Sequence, residues 1–224
     1  MLGAPEESPH KWQVALVDDD SSTLRATARL LTIEGYDVSA YPSSAEFLAS
    51  LRVAQPDVLL VDLRMPDVNG LELQAAVLDR SLRIPMVFMS AYASVAASVQ
   101  ALRGGAIDFL EKPCDRETLV DALERAIASA VRERRTTSMI TDLLHNWHTL
   151  TAREQEVCRW VVKGRLNKQI AAAIGTGEKT VKVHRARAMT KMRADSVATL
   201  VRMVDAIDEH VGESVMADQR QRAG

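Results

Sequence analysis

Along the first 131 positions, short apolar runs alternate with stretches whose apolar residues keep helical spacing. The runs are Val14-Ala15-Leu16-Val17, residues 36–41, Val58-Leu59-Leu60-Val61, residues 85–90 and residues 106–110. Each is strand-sized and bounded by acidic, Pro or Gly positions. Between them, Ser21-Ser22 can cap a helix with Leu24, Ala28 and Leu31 inward, ending at Glu34-Gly35 with Gly35 in the left-handed position. Ser43 or Ser44 opens a second helix with Phe47, Leu48 and Leu51 inward. Further helices are expected over 71–80, over 94–103 until Gly104-Gly105 breaks it, and from about 115 to 131. Five strand-then-helix units predict an α/β fold of the flavodoxin-like kind, a five-stranded parallel doubly wound sheet, because parallel strands need crossovers of this sort.

Past residue 131 the strand signal stops. Met139, Ile140, Leu143, Leu144 and Trp147 recur at helical spacing. Thr151 with Glu154 at capping-box distance opens a helix with Val157, Cys158, Val161 and Val162 inward, ending at Gly164. A short helix over 167–174, the turn Gly175-Thr176-Gly177, a longer helix over 178–192 and a last one over 196–210 complete an all-α, four-helix unit with a helix-turn-helix pattern.

Polar residues stand at the predicted strand ends: Asp18 and Asp19 after the first, Asp62 after the third, Ser90 after the fourth and Lys112 after the fifth. In a parallel sheet these ends share one crevice. Alone, Asp62 reads equally well as a loop acid capping the next helix, Ser90 as a turn residue and Lys112-Pro113 as a surface turn. Asp20 reads as a cap outside the cluster. Three converging carboxylates repel one another unless a hard cation holds them, and Mg²⁺ suits two or three carboxylates plus a phosphoryl oxygen. A lysine and a hydroxyl beside them are what a bound phosphoryl group requires, so the cluster describes a phospho-acceptor that forms an aspartyl-phosphate. A rival places the nucleophile at Asp18, since residues 18–22 loosely resemble the start of haloacid-dehalogenase-type phosphatases. That rival leaves Asp62 and the second half unexplained.

Charge sharpens the division. The net charge of −2 splits into 11 Lys and Arg against 19 Asp and Glu over residues 1–131, and 17 against 11 over residues 132–224. An acidic and a basic half imply two domains with different partners, the basic one suited to nucleic acid. On the 178–192 helix, Val181, Ala188 and Met192 share a core-facing side, with Lys179, Lys182, Val183, Ala186, Arg187 and Thr190 opposite. In a major groove, Lys182, Val183 and Ala186 would meet base edges, and Lys179, Thr180, Arg187 and Lys191 would meet phosphates. His184 reads as a packed or phosphate-facing residue. Cys114 and Cys158 lack metal-ligand spacing and fit a reducing compartment, with Cys158 in the core and Cys114 at a helix start. No apolar run is long enough for a membrane span, and residues 1–11 lack the pattern of a signal peptide, so a cytoplasmic protein is expected.

Residues 13–131 resemble the receiver domain of two-component response regulators. The resemblance rests on Val17-Asp18-Asp19, Val61-Asp62-Leu63-Arg64-Met65-Pro66-Asp67-Val68-Asn69-Gly70, Met89-Ser90-Ala91-Tyr92 and Asp108-Phe109-Leu110-Glu111-Lys112-Pro113. It implies that Asp62 accepts phosphate from a sensor histidine kinase, and that Asp18, Asp19, Asp62 and the main-chain carbonyl of Arg64 hold Mg²⁺. It further implies that Ser90 and Lys112 bind the phosphoryl oxygens, that the Lys112-Pro113 bond is cis, and that Ser90 and Phe109 act as the switch. Residues 150–210 resemble the LuxR-type DNA-binding domain of response regulators of the FixJ and nitrate-regulator kind. Here the carriers are Leu150-Thr151, Arg153-Glu154, Glu156-Val157, Gly164, Asn167-Lys168, Ile170-Ala171 and residues 179–185. Leu166 and Gly177 depart from it, standing where small hydroxyl residues usually cap the second and third helices.

The resulting expectation is a receiver over 13–131, a connector over 132–148, a LuxR-type helix-turn-helix domain over 149–211 and a disordered tail over 212–224. The connector is either a helical stalk or a mobile tether. The protein would be a transcriptional regulator without enzymatic activity of its own, binding double-stranded promoter DNA as a phosphorylation-dependent homodimer and working with RNA polymerase, usually as an activator. The surface of the fourth helix and fifth strand would be the dimer face. In the alternative, the receiver is a phosphate sink or protein-interaction module and the second domain binds a protein partner.

Overall fold

The structure is a computed structural model that describes residues 11–92 and 94–223, with side chains to residue 212. The first unit, Met1–Arg134, alternates β1 (Gln13–Val17), α1 (Ser21–Ile33), β2 (Asp37–Tyr41), α2 (Ser44–Ser50), β3 (Val58–Asp62), α3 (Gly70–Leu78), β4 (Met86–Ser90), α4 (Val95–Arg103), β5 (Asp108–Glu111) and the first part of α5 (Arg116–His148), whose remainder belongs to the second unit. All strand pairs are parallel, in the order β2-β1-β3-β4-β5. The five-stranded doubly wound sheet expected from the apolar pattern is therefore present.

The reason it forms is visible in β3, whose five residues are all buried. Leu59 and Val61 enter one core with Ala15, Val17 and Phe88, covered by Phe47 of α2, Leu73 and Val77 of α3 and Ala101 of α4. Val58 and Leu60 enter the other core with Val14, Leu16, Val87 and Met89, covered by Leu24 and Leu31 of α1 and Leu119, Ala122, Leu123 and Ala126 of α5. A strand covered on both faces needs apolar residues without alternation, which is how its sequence reads.

Helix starts follow local capping chemistry. Asp20, rather than Ser21 or Ser22, caps α1. Its carboxylate accepts the Ser22 N–H at 2.8 Å and the Thr23 N–H at 3.4 Å, and a charged acceptor at that position is stronger than a hydroxyl. Ser43 caps α2, and Asn69 and Glu72 form a reciprocal capping box at α3. Gly35, just past α1, has φ +93, the left-handed conformation expected of it. β5 starts at Asp108, later than the apolar run suggested.

The second unit, Arg135–Gly224, contains α6 (Ala152–Val162), α7 (Asn167–Ala173), α8 (Glu178–Lys191) and α9 (Val197–Ala223). Its core joins Val157, Cys158, Val161, Ile170, Val181, Ala188, Met192, Leu200, Val204 and Ile207 with Trp147 from the last turns of α5. The residues read as a connector are helical throughout, and those at its end are core. The last helix runs to Ala223 instead of ending near residue 210, so the polar stretch expected to be disordered has helical backbone. The side chains beyond residue 212, and the segment 1–10 that bears on a signal peptide, lie outside the described residues. Among the described residues, no helix is long and apolar enough to cross a membrane.

Candidate functional site

Because every strand runs the same way, the ends of β1, β3, β4 and β5 fall at one edge of the sheet. The pairings Val17↔Val61, Asp62↔Met89 and Ser90↔Glu111 set the expected polar residues side by side. Asp18, Asp62 and Ser90 are buried, whereas Asp19 is exposed. Lys112 Nζ donates to Asp62 Oδ1 at 2.5 Å and to Asp18 Oδ2 at 2.6 Å, bridging the two carboxylates. The remaining oxygens also accept hydrogen bonds: Asp62 Oδ2 takes the Arg64 N–H at 2.7 Å, and Asp18 Oδ1 takes the Asp20 N–H at 3.0 Å.

Burial raises the Asp62 carboxyl above its usual range, and the hydrogen bond and charge of Lys112 oppose that rise. For Lys112 burial pulls the other way, but its hydrogen bonds to Asp18 and Asp62 hold the amine above its ordinary value, so it stays an ammonium. The Lys112 N–H donates to the Ser90 carbonyl at 2.8 Å, which ties the lysine to the end of β4. The Lys112-Pro113 bond is cis, as the resemblance implied. Ser90 Oγ accepts the Tyr92 N–H at 3.2 Å. Phe109 is partly buried, stacked on Phe88 with centroids 6.3 Å apart. The Arg64 guanidinium lies 5.0 Å from the centre of the Tyr92 ring, so the loops after β3 and β4 touch beside the pocket.

Gly70, expected to let the third helix begin clear of the pocket, does so at a close approach that the sequence did not disclose. A Cβ there would lie 2.6 Å from the Asp62 carbonyl oxygen and 2.9 Å from Phe88 Cε1, so only glycine lets α3 start against the end of β3. The Pro- and Gly-containing loop was the visible signal, but the close approach is tertiary.

The candidate metal ligands are all hard oxygens, the donor set Mg²⁺ takes while keeping several waters. Their placement meets that expectation in part. Among the described residues no three His, Cys, Asp or Glu side chains converge as a metal cluster; Lys112 supplies the countercharge for Asp18 and Asp62, and Asp19 is exposed.

In the second unit, Lys179, Thr180, Lys182, Val183, Ala186, Arg187 and Thr190 form the outward face of α8, while Val181, Ala188 and Met192 are buried. Lys182 pairs with Glu178 at 3.4 Å in an exposed contact, the sort that contributes about 0.5 kcal/mol at most. Lys191 departs from the expected phosphate role. Its Nζ donates to Glu154 Oε2 at 2.7 Å and to the Thr149 carbonyl at 3.0 Å, so it belongs to an ion pair with a buried acid. Glu154 also accepts the Thr151 N–H at 2.9 Å, completing the capping box of α6. Neither Leu166 nor Gly177 offers a side-chain cap. At α7, Gln169 Oε1 accepts the Leu166 N–H at 3.0 Å, which supplies half of a capping box and accounts for the tolerated leucine. His184 is half-buried, with Nδ1 facing no polar partner among the described residues.

An acid-ended parallel sheet followed by a basic helix-turn-helix unit is the organisation of a phosphorylation-responsive DNA-binding regulator. Residues 14–124 match the response regulator receiver domain family, and residues 148–204 match the bacterial regulatory proteins of the luxR family. The chain belongs to the two-component response regulators with a receiver and a LuxR-type DNA-binding output domain. It is 38% identical to the tetrathionate response regulatory protein TtrR of Salmonella typhimurium, over 84% of this chain and 90% of that protein. It is 36% identical to the transcriptional regulatory protein FixJ of Rhizobium meliloti, over 86% and 94%. The solved structure of the response regulator StyR is similar at a TM-score of 0.75 and 37% identity, covering 88% of this chain and 99% of that one. A receiver implies a sensor kinase as partner, and a LuxR-family domain implies binding to DNA.

Proposed function

We propose that Asp62 is the phospho-acceptor of this regulator and that its phosphorylation controls promoter binding by the exposed face of α8. The observation that supports this best is the bridge from Lys112 Nζ to both Asp62 and Asp18 across the ends of three strands. An Asp62 oxygen attacks the phosphorus of a kinase phosphohistidine, the P–N bond breaks, and the electron pair leaves with the imidazole nitrogen. Lys112 neutralises charge on the phosphoryl oxygens and the Ser90 hydroxyl donates to one of them. Asp18, Asp19, Asp62 and the Arg64 carbonyl would hold Mg²⁺, which would supply electrostatic stabilisation of the transferring group.

With the phosphoryl group in place, Ser90 is drawn toward it and Phe109 turns into the space beside Phe88, altering the surface of α4 and β5. That surface forms a homodimer, which sets two α8 helices on half-sites and presents the regulator to RNA polymerase, usually for activation. Lys182, Val183 and Ala186 read base edges; Lys179, Thr180 and Arg187 hold phosphates. The protein works in the cytoplasm as a regulator and has no enzymatic output.

Labelling with a small phosphodonor and mapping the modified residue tests the assignment. Label on Asp62, lost in Asp62→Asn, is expected; label on Asp18 would overturn it.

A further inference from the structure

β3 has a carboxylate at each pole. Asp62 closes the strand at the candidate phosphorylation pocket, and Asp57 stands just before Val58 at the opposite edge of the sheet. Asp57 is as buried as the surrounding core, at 4% exposure. Its Oδ2 accepts the Gln13 N–H at 2.8 Å and its own N–H donates to the Gln13 carbonyl at 2.8 Å, which fixes it where β1 and β3 begin. Its Oδ1 takes the guanidinium Nη2 of Arg134.

A carboxylate buried to this degree is strongly disfavoured without a cation, and Arg134 supplies one. Arg134 is also the last residue of the first unit, beyond Ala126, which packs in the core under the sheet, and the buried Ala130. The residue before it, Glu133, contacts Arg83 at 3.5 Å, but both side chains are exposed and that pair holds little. The pair with Asp57 therefore ties the start of the connector to a buried group, and the strand that receives it ends at Asp62.

We propose that Arg134 on Asp57 is a latch that holds the start of the connector to the base of the receiver and sets how far phosphorylation changes DNA binding. The second half of this statement rests on Asp62 being the phospho-acceptor; the first does not. Asp57 and Asp62 bound the same strand, so a displacement of β3 at the phosphorylation pocket reaches the Arg134 pair at its other end.

The test uses the full chain with Arg134→Gln, Asp57→Asn and the double variant. The amide introduced by Asp57→Asn would still accept the Gln13 N–H; Arg134→Gln takes a guanidinium from a buried carboxylate, so global unfolding is followed alongside local exchange to separate the two. Amide hydrogen exchange over residues 132–138 is expected to rise about three- to tenfold in each single variant, with no further rise in the double. Phosphodonor labelling should be unchanged, while the ratio of DNA affinities with and without phosphorylation falls toward one. Unchanged exchange in Arg134→Gln, or additive rises in the double, would overturn the latch. Faster exchange with an unchanged affinity ratio would overturn its regulatory role. If the wild-type chain takes label on Asp62 yet shows no phosphorylation-dependent affinity, the proposed control of DNA binding fails and the regulatory role of the latch with it, while exchange alone decides the latch.

Discussion

The ammonium of Lys112 lies 2.5 Å from Asp62 Oδ1, and the same nitrogen reaches Asp18 at 2.6 Å. The pocket is thus held together by one cation contributed from 50 residues beyond Asp62. Replacing Lys112 by Ala leaves two buried carboxylates facing each other. We expect a loss of about 1–3 kcal/mol at neutral pH, together with loss of the phosphorylation-dependent change in DNA affinity. The Asp62 carboxyl is already raised by burial and rises further without the ammonium. It therefore protonates as the pH falls, and the difference in urea midpoint between variant and wild type should narrow on acidification. A difference that widens on acidification would contradict this electrostatic account.

Glu154 and Lys191 form the corresponding pair in the second unit. The hydrogen bond from Lys191 holds the Glu154 carboxyl below its usual range. A depressed acid contributes stability above its unfolded pKa and loses it as the pH drops through the folded value. Glu154→Gln should cost about 1–3 kcal/mol at neutral pH and progressively less in acid, measured by denaturant unfolding of the full chain with a probe in the second unit. A cost independent of pH would show that the charge of Glu154 is immaterial.

Gly70→Ala introduces a methyl group where the Asp62 carbonyl is 2.6 Å away. The start of α3 must shift, at about 1–3 kcal/mol, and the shift acts on the backbone of Asp62 itself. Slower phosphodonor labelling is expected alongside the lower stability. Normal stability and normal labelling would mean the loop absorbs the methyl group elsewhere.

Lys182→Ala should relax discrimination among DNA sequences, whereas Lys179→Ala should weaken binding about equally on all of them and reduce the salt dependence. Binding measured on matched and scrambled sites at two salt concentrations separates these effects. Indistinguishable behaviour would misplace the groove-facing side of α8.

Cys158 provides a reporter of the second unit. Burial raises its thiol to about 11, so little thiolate exists at neutral pH and the sulfur is covered. Thiol reagents should label Cys158 only at the rate at which the unit opens; labelling as fast as a free thiol in the native state would refute its core placement.

The sheet, its flanking helices and the polar strand ends were legible because their signals are local: apolar runs, caps, and single residues at fixed places in each unit. Asp62, Ser90 and Lys112 could be assembled from the rule that parallel strands end at one edge. What escaped was settled by tertiary partners. Lys191 looks like any cation on a basic helix until Glu154 is found beside it, and Gly70 looks like a turn residue until the Asp62 carbonyl is seen against it. Arg134 falls in a polar, featureless run, and nothing in that run points to Asp57, 77 residues earlier. The resting countercharge in the pocket was also invisible, since sequence shows which acids share an edge but not which cation reaches them.

Since Val58 to Val61 are buried in two apolar cores, sliding β3 by one residue would exchange the cores these four side chains enter while leaving each facing apolar neighbours. The contrast between a dry and a wet face, which fixes the register of a half-exposed strand, is therefore missing from this one. Its alignment falls to the carboxylates bounding it, Asp57 against Gln13 and Arg134, and Asp62 against Arg64 and Lys112. The two acids act as end stops, and a slip of one position would cost both sets of partners at once.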